Sequence, residues 1–123
     1  MTKKKVLIVE DDEMIRQTLE IELKLKGHEY ASFDNGGDAW AILEKGQKFD
    51  RIISDFIMPG MNGLALLKKI RGLRSTAHIP FVMVSASDVA EQPCREMGGL
   101  FVLKPCDHEQ LIETYVDSWP SAT

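Results

Sequence analysis

Four groups of residues in this sequence could do chemistry, and each one follows a short apolar run. The groups are Glu10-Asp11-Asp12, Asp55, Ser85 and Lys104-Pro105. Carboxylates packed together repel one another, and a hard divalent cation such as Mg²⁺ removes that repulsion. A lysine and a hydroxyl beside a metal-bound carboxylate can hold the oxygens of an anion. Together the four groups would make one carboxylate a nucleophile towards phosphorus, helped by positioning and charge neutralisation.

This chemistry requires that the groups lie close together, and the pattern of the chain predicts that they do. The runs at 6–9, 51–54 and 80–84 are rich in β-branched residues and do not alternate, which is typical of strands buried on both faces of a parallel sheet. Segments of helical period lie between strands, so we predict a β-α order repeated five times and a doubly wound α/β fold. In such sheets ligands bind at the carboxyl ends of the strands.

The helix predictions rest on periodicity and on end signals. Residues 13–26 are ambiguous because apolar and charged residues alternate, but unbranched helix formers and Gly27 at the end favour a helix. We predict further helices at 38–45, at 63–71 with Asn62 as N-cap, and at 107–119 with Asp107 as N-cap. The remaining strands are expected at 29–33 and 100–103.

Size and composition limit the possible classes of protein. A chain of 123 residues with 44% hydrophobic residues fits one domain, 1–123, with no output domain. The net charge of −4 provides no broad basic field for nucleic acid. Cys94 and Cys106 match no metal spacing; a disulfide is possible, but two reduced thiols are the simpler interpretation. The apolar run after Lys3–Lys5 is too short for a signal peptide, and no run could cross a membrane, so we expect a cytoplasmic protein.

Each residue also has a structural interpretation. An aspartate after a strand usually caps a helix or forms a turn, and any of the first three acids could cap the first helix. A lone serine carries little information, and a lysine before a proline could be a solvated loop residue. The functional interpretation gains weight because all four groups occur at the ends of the expected strands.

The combination resembles the response regulator receiver domain family, the chemotaxis-regulator-like domains of bacterial two-component systems. The resemblance covers essentially the whole chain. Its motifs are VLIVEDD at 6–12, SDFIMPGMNG at 54–63, VSA at 84–86 and LKP at 103–105. It implies a five-stranded sheet in the flavodoxin-like order 2-1-3-4-5, with helices on both faces, and a phospho-acceptor that uses Mg²⁺ or Mn²⁺.

The resemblance also implies a role for individual residues. It assigns the phospho-acceptor to Asp55, a direct metal ligand to Asp11, a metal ligand through water to Glu10, and a further metal ligand to the backbone carbonyl of Ile57. Lys104 would neutralise charge before a cis peptide to Pro105, and Ser85 would sense the phosphoryl group. The phosphoryl lifetime would depend on Ile57 and Ser87. Phe101 would move with Ser85 as a switch, although an ordinary half-buried aromatic explains it equally well.

The implied partners are a sensor histidine kinase or histidine phosphotransfer protein and an output partner that the sequence does not identify. Direct binding to nucleic acid or a membrane is not expected, and the chain would be a monomer or weak homodimer. The stretch from Ser85 to Lys104 is shorter than in typical receivers by about three residues, close to one helical turn. Pro93 lies within it and is expected to break the fourth helix, which should be short, displaced or irregular. We therefore hypothesise a modified output face.

Three rival functions remain open. A flavin phosphate would be repelled by the acids after the first strand. A small Mg-dependent aspartyl phosphatase would place its nucleophile there, where Glu10-Asp11-Asp12 fits poorly. A docking or dimerisation module would need no phosphorylation, although all the chemical residues are present. We expect no enzymatic activity beyond the domain's own phosphoryl transfer and dephosphorylation.

Overall fold

The computed structural model describes residues 2–120, in which five parallel strands form one sheet in the order β2-β1-β3-β4-β5. The strands are β1 (Lys5–Val9), β2 (Glu29–Phe33), β3 (Arg51–Asp55), β4 (Phe81–Ser85) and β5 (Leu100–Leu103). The helices are α1 (Glu13–Leu25), α2 (Gly36–Glu44), α3 (Gly63–Gly72), α4 (Glu91–Glu96) and α5 (His108–Ile112), and α5 continues as a π-helical segment, Glu113–Asp117. The predicted doubly wound fold and strand order are confirmed.

Helices cover both faces of the sheet, which explains why the central strands show no alternation. On one face α2, α3 and α4 pack through residues that include Leu43, Leu67 and Cys94. On the other face α1 and α5 pack through residues that include Leu23 and Ile112. Cys94 and Cys106 are free thiols and belong to the cores on opposite faces of the sheet.

The ambiguous segment after β1 is a helix, as predicted. The side chain of Asp12 accepts a hydrogen bond from the Ile15 backbone amide at 3.1 Å, and Gly27 follows the helix with a positive φ of 81°. Leu23 is fully buried, whereas Ile21 and Leu25 are 57% and 76% exposed. The strand-like alternation therefore includes apolar residues that face solvent.

The second helix begins at Gly36, two residues before the predicted start at Asp38. The reason is Asn35, whose side chain accepts a hydrogen bond from the Asp38 backbone amide at 2.8 Å and caps the helix. The third helix has the predicted cap, since Asn62 accepts from the Ala65 backbone amide at 2.8 Å.

The prediction of one regular helix over 107–119 is wrong in its second half. Asp107 caps α5 as expected, but α-helical geometry ends at Ile112. The backbone amide of Ser118 donates to the Glu113 carbonyl at 3.1 Å, and its hydroxyl donates to the same oxygen at 2.9 Å. This bond spans five residues, so the last turns are wider than an α-helix.

The fourth helix is short, as predicted, but Pro93 does not break it. Pro93 is the third residue of α4, where a missing backbone N–H costs no intrahelical bond. The helix ends because Gly98 has a positive φ of 76° and Gly99 donates back to the Cys94 carbonyl at 3.0 Å. No helix within residues 2–120 is both long enough and apolar enough to cross a membrane.

Candidate functional site

Three carboxylates converge at the carboxyl ends of β1 and β3, where the strand order of the sheet reverses. Glu10, Asp11 and Asp55 each place one oxygen within 4.8 Å of the oxygens of the other two. Glu10 is buried, Asp55 is half-buried and Asp11 is exposed. Oxygen donors at this spacing, open to solvent on one side, fit a hard divalent cation such as Mg²⁺ or Mn²⁺.

Lys104 connects two of these carboxylates. Its ammonium donates to Glu10 Oε1 at 2.9 Å and to Asp55 Oδ2 at 3.1 Å. The Lys104 backbone amide donates to the Ser85 carbonyl at 2.8 Å, which ties the end of β5 to the end of β4. The peptide bond from Lys104 to Pro105 is cis.

Backbone amides hold the second oxygen of each bridged carboxylate. Glu10 Oε2 accepts from the Asp12 amide at 3.1 Å, and Asp55 Oδ1 accepts from the Phe56 amide at 2.7 Å. Asp12 itself caps α1 and lies outside the carboxylate cluster, so one of the three sequential acids has the structural role that the sequence left open. Both bridged carboxylates are thereby fixed in orientation before any ligand binds.

Burial and neighbouring charges shift the pKa values of Glu10 and Lys104. Burial raises the pKa of Glu10 to about 7; the hydrogen bond from Lys104 opposes this shift, and the negative charge of Asp55 adds to it. Burial alone would lower the pKa of Lys104, but hydrogen bonds and charge from Glu10 and Asp55 outweigh it and raise that pKa. Lys104 is therefore a cation near neutral pH.

Close packing of α3 brings the loop after β3 against the site. A Cβ on Gly63 would overlap the Asp55 carbonyl oxygen, and the Gly63 amide donates to the Phe56 carbonyl at 2.8 Å. Only a residue without a side chain allows this approach. Ile57 lies in the same loop with 64% of its surface exposed.

The expected sensor residue, Ser85, ends the strand next to Asp55, and the expected switch residue, Phe101, lies in the core. The Ser85 hydroxyl is buried and accepts a hydrogen bond from the Ser87 amide at 3.2 Å, and no hydrogen bond joins it to Asp55 within residues 2–120. Phe101 is paired with Met83 across the sheet, and Met83 lies two residues before Ser85 in β4. The side chains of Phe101 and Ser85 therefore point to the same face of the sheet. Phe101 is only 6% exposed and belongs to the core there, so it is more buried than a half-buried aromatic.

One contact at the site was missed by sequence reasoning. The Arg16 guanidinium donates to the Glu10 backbone carbonyl at 2.8 Å. Arg16 therefore holds the turn that presents Glu10 and Asp11. The available signal was a basic residue in the second turn of a helix whose start is acidic, but spacing alone does not tell whether such a side chain turns back.

A doubly wound sheet with a carboxylate cluster and a bridging lysine at its switch point is the arrangement that the sequence resemblance predicts for a receiver domain. The family profile described as "Response regulator receiver domain" matches residues 6–116. This chain belongs to the response regulator receiver domain family, and it is a phospho-acceptor domain of two-component signal transduction. Receiver domains are signalling domains that take phosphoryl groups from histidine kinases or phosphotransfer proteins.

Relatives of several lengths share this domain. Protein PilH of Pseudomonas aeruginosa is 30% identical over 89% of this chain and 93% of its own length. Response regulator protein FleR of the same species is 35% identical over 89% of this chain but only 23% of its own length. The rice two-component response regulator-like PRR37 is 30% identical, and the chain spans 16% of it.

Solved structures show the same fold. The chemotaxis response regulator CheY4 of Vibrio cholerae superimposes with a TM-score of 0.81 at 32% identity, covering 91% of this chain and 95% of that chain. The receiver domain of a Syntrophus aciditrophicus histidine kinase superimposes with a TM-score of 0.80 at 31% identity, covering 89% and 85%. The domain thus occurs both alone and within longer proteins.

Proposed function

We propose that Asp55 accepts a phosphoryl group from the phosphohistidine of a sensor histidine kinase or histidine phosphotransfer protein, in a reaction that depends on Mg²⁺ or Mn²⁺ in the bacterial cytoplasm. One observation carries this proposal. The Lys104 ammonium lies between Glu10 and Asp55, at 2.9 and 3.1 Å, at the edge of a cluster of three carboxylates. A carboxylate placed between a cation site and a lysine is oriented and charge-balanced for attack on phosphorus.

The donor set indicates how each residue would act. Asp11, Asp55 and the backbone carbonyl of Ile57 would hold the metal directly, and Glu10 would hold it through water. The bound metal supplies charge neutralisation for the carboxylates and for the oxygens of the phosphoryl group. Lys104 is already placed beside Asp55 and would hold another of those oxygens.

The transfer itself forms one bond and breaks one. The Asp55 carboxylate oxygen bonds to phosphorus while the phosphorus–nitrogen bond of the phosphohistidine breaks, and the electron pair stays on the imidazole nitrogen. The protein contributes positioning and fixed charge rather than proton transfer.

Phosphorylation of Asp55 would change the conformation of residues in β4 and β5. Ser85 would turn its hydroxyl from the Ser87 amide towards the phosphoryl oxygens, and Phe101 would repack on the same face of the sheet. The lifetime of the phosphoryl group would depend on Ile57 and Ser87 at the mouth of the site. The output partner is a protein that binds the changed surface, and we expect the chain to act as a monomer or weak homodimer.

A pair of neighbouring variants tests the metal assignment. Asp11→Asn removes a proposed direct ligand, whereas Asp12→Asn keeps a good helix N-cap and serves as the matched control. We expect Asp11→Asn to weaken Mg²⁺ binding in isothermal titration calorimetry and to slow phosphorylation by acetyl phosphate, while Asp12→Asn stays close to the wild type. Equal losses in both variants would refute the assignment.

A further inference from the structure

The short helix α4 depends on tertiary contacts for its position. It has six residues, and its N-cap residue, Ala90, provides no side-chain hydrogen bond. Helices of this length are not stable in isolation, so tertiary contacts must fix its position. The contacts that α4 makes differ between its two ends.

The C-terminal end of α4 is tied down by Arg71, which lies near the end of α3. The Arg71 guanidinium donates to the Met97 carbonyl at 2.7 Å and to the Gly98 carbonyl at 3.5 Å. The same guanidinium donates to the Ile79 carbonyl at 2.8 Å and to the Ala77 carbonyl at 3.2 Å. One side chain therefore joins the end of α4 to the loop that enters β4.

Packing strengthens this end further. Cys94 is fully buried, and its thiol donates to the Leu100 carbonyl at 3.4 Å. A Cβ on Gly99 would lie 2.6 Å from the Cys94 sulfur, so the turn after α4 fits tightly against the helix. Movement of this end would break several contacts at once.

The N-terminal end of α4 packs through Ala90, which is fully buried in the core, but it has no hydrogen bond comparable to those of Arg71. In the described part of the chain, hydrogen bonds of residues 86–91 stay within the segment from Ser85 to Arg95, such as the Ser87 amide to the Ser85 hydroxyl and the Val89 amide to the Ser87 hydroxyl. Val89 is 67% exposed. The segment that enters α4 therefore follows Ser85 without a hydrogen bond to any other described element, and Ser85 is adjacent to Val84, the register partner of Asp55.

We infer that Arg71 is a positioning residue that fixes the C-terminal end of α4 as a pivot, so that phosphorylation moves only its N-terminal end. The inference rests on the proposed function for its trigger. It assigns Arg71 a role in confining the conformational change to residues 86–91, although Arg71 belongs to α3 and touches none of the carboxylates.

Hydrogen–deuterium exchange with mass spectrometry tests this inference on the full chain. Arg71→Gln removes the charge and most donors, Arg71→Lys keeps the charge, and Arg74→Gln removes an exposed arginine just past the same helix as the control. Without phosphodonor, we expect at least tenfold faster exchange at residues 97–99 in Arg71→Gln, a smaller change in Arg71→Lys, and none in Arg74→Gln. Unchanged exchange at 97–99 in Arg71→Gln would overturn the anchor.

Acetyl phosphate and Mg²⁺ then test the pivot. In the wild type, exchange should change at 86–91 and stay constant at 97–99, whereas in Arg71→Gln the change should spread to 97–99. A purely structural role would raise exchange at 97–99 equally in both states, and that result would overturn the pivot. A wild type that takes up no phosphoryl group would instead contradict the proposed function, while the comparison without phosphodonor would still test the anchor.

Discussion

Among single residues, Lys104 brings a positive charge directly to the carboxylate cluster. Its ammonium contacts both Glu10 and Asp55, and its side chain is largely shielded from solvent. We predict that Lys104→Gln slows phosphorylation by acetyl phosphate about a hundredfold, in the range seen when one donor to a developing charge is removed. Lys48→Gln, an exposed change at the opposite end of the sheet, should leave the rate unchanged. Equal rates for wild type and Lys104→Gln would contradict the role of the lysine.

Ile57 bears on how long the phosphoryl group survives. Its exposed side chain is apolar and has no atom that could orient an attacking water. We predict that Ile57→Asn speeds self-dephosphorylation several-fold, measured as the decay of phosphorylated protein after removal of the donor. Ile57→Leu controls for the change of shape and should decay like the wild type. If the asparagine variant decays no faster, the apolar side chain does not protect the phosphoryl group.

The two cysteines should differ in reactivity. Burial raises the pKa of Cys94 to about 11, so almost no thiolate exists at neutral pH, while Cys106 is only half-buried. Because the thiolate is the reactive form, we predict that iodoacetamide modifies Cys106 slowly and Cys94 only after unfolding. Peptide mass spectrometry with and without denaturant checks this order, and early modification of Cys94 in the native protein would contradict the burial of its thiol.

At the residue scale, the sequence predicts the contacts that follow from the order of the strands in the sheet. Glu10, Asp55 and Lys104 lie at the carboxyl ends of β1, β3 and β5, and the parallel strands of one sheet end at the same edge. The contacts of Arg16 and Arg71 with backbone carbonyls could not be predicted in this way. They depend on how a long side chain folds over neighbouring loops, and sequence spacing does not determine that path.

Among the elements, α3 sets the distance between the site and its neighbouring loop. Gly63 allows the start of α3 to touch the Asp55 backbone, whereas a Cβ on Gly72, at the other end of the helix, would meet nothing within 4 Å. We predict that Gly63→Ala lowers the free energy of unfolding by about 1–3 kcal/mol and slows phosphorylation. Gly72→Ala should be neutral or stabilising by about 0.4–1 kcal/mol. Urea unfolding measures both, and equal stabilities would refute the close approach.

Elements differ in how well periodicity predicts them. The strand β2 and the caps Asn62 and Asp107 lie where the pattern placed them, because local chemistry decides those positions. The π-helical end of α5 could not be predicted from its apolar face. It depends on tertiary partners, since the Tyr115 carbonyl accepts from Arg51 at 3.2 Å and Asp117 contacts His28.

At the scale of the whole molecule, the buried His28 joins the residue before β1 to the π-helical segment, at the end of the sheet opposite the acidic site. His28 Nδ1 accepts from the Lys4 amide at 3.0 Å, so the proton of the neutral ring lies on Nε2, which donates to Asp117 at 2.6 Å. We predict that Asp117→Asn lowers the free energy of unfolding by about 1–3 kcal/mol and leaves phosphorylation unchanged. Glu113→Gln, a more exposed neighbour, should cost less than about 0.5 kcal/mol. Slower phosphorylation in a folded Asp117→Asn variant would show that the two ends are coupled.

The central claim for the molecule is that Asp55 is a metal-dependent phospho-acceptor. Its most direct test is intact-mass analysis after incubation with acetyl phosphate and Mg²⁺, with the Asp55→Asn variant and an EDTA-treated sample alongside. The structure predicts that the wild type gains the mass of one phosphoryl group, and that neither the variant nor the EDTA-treated sample does. An equal gain in Asp55→Asn, or no gain in the folded wild type, would contradict the assignment.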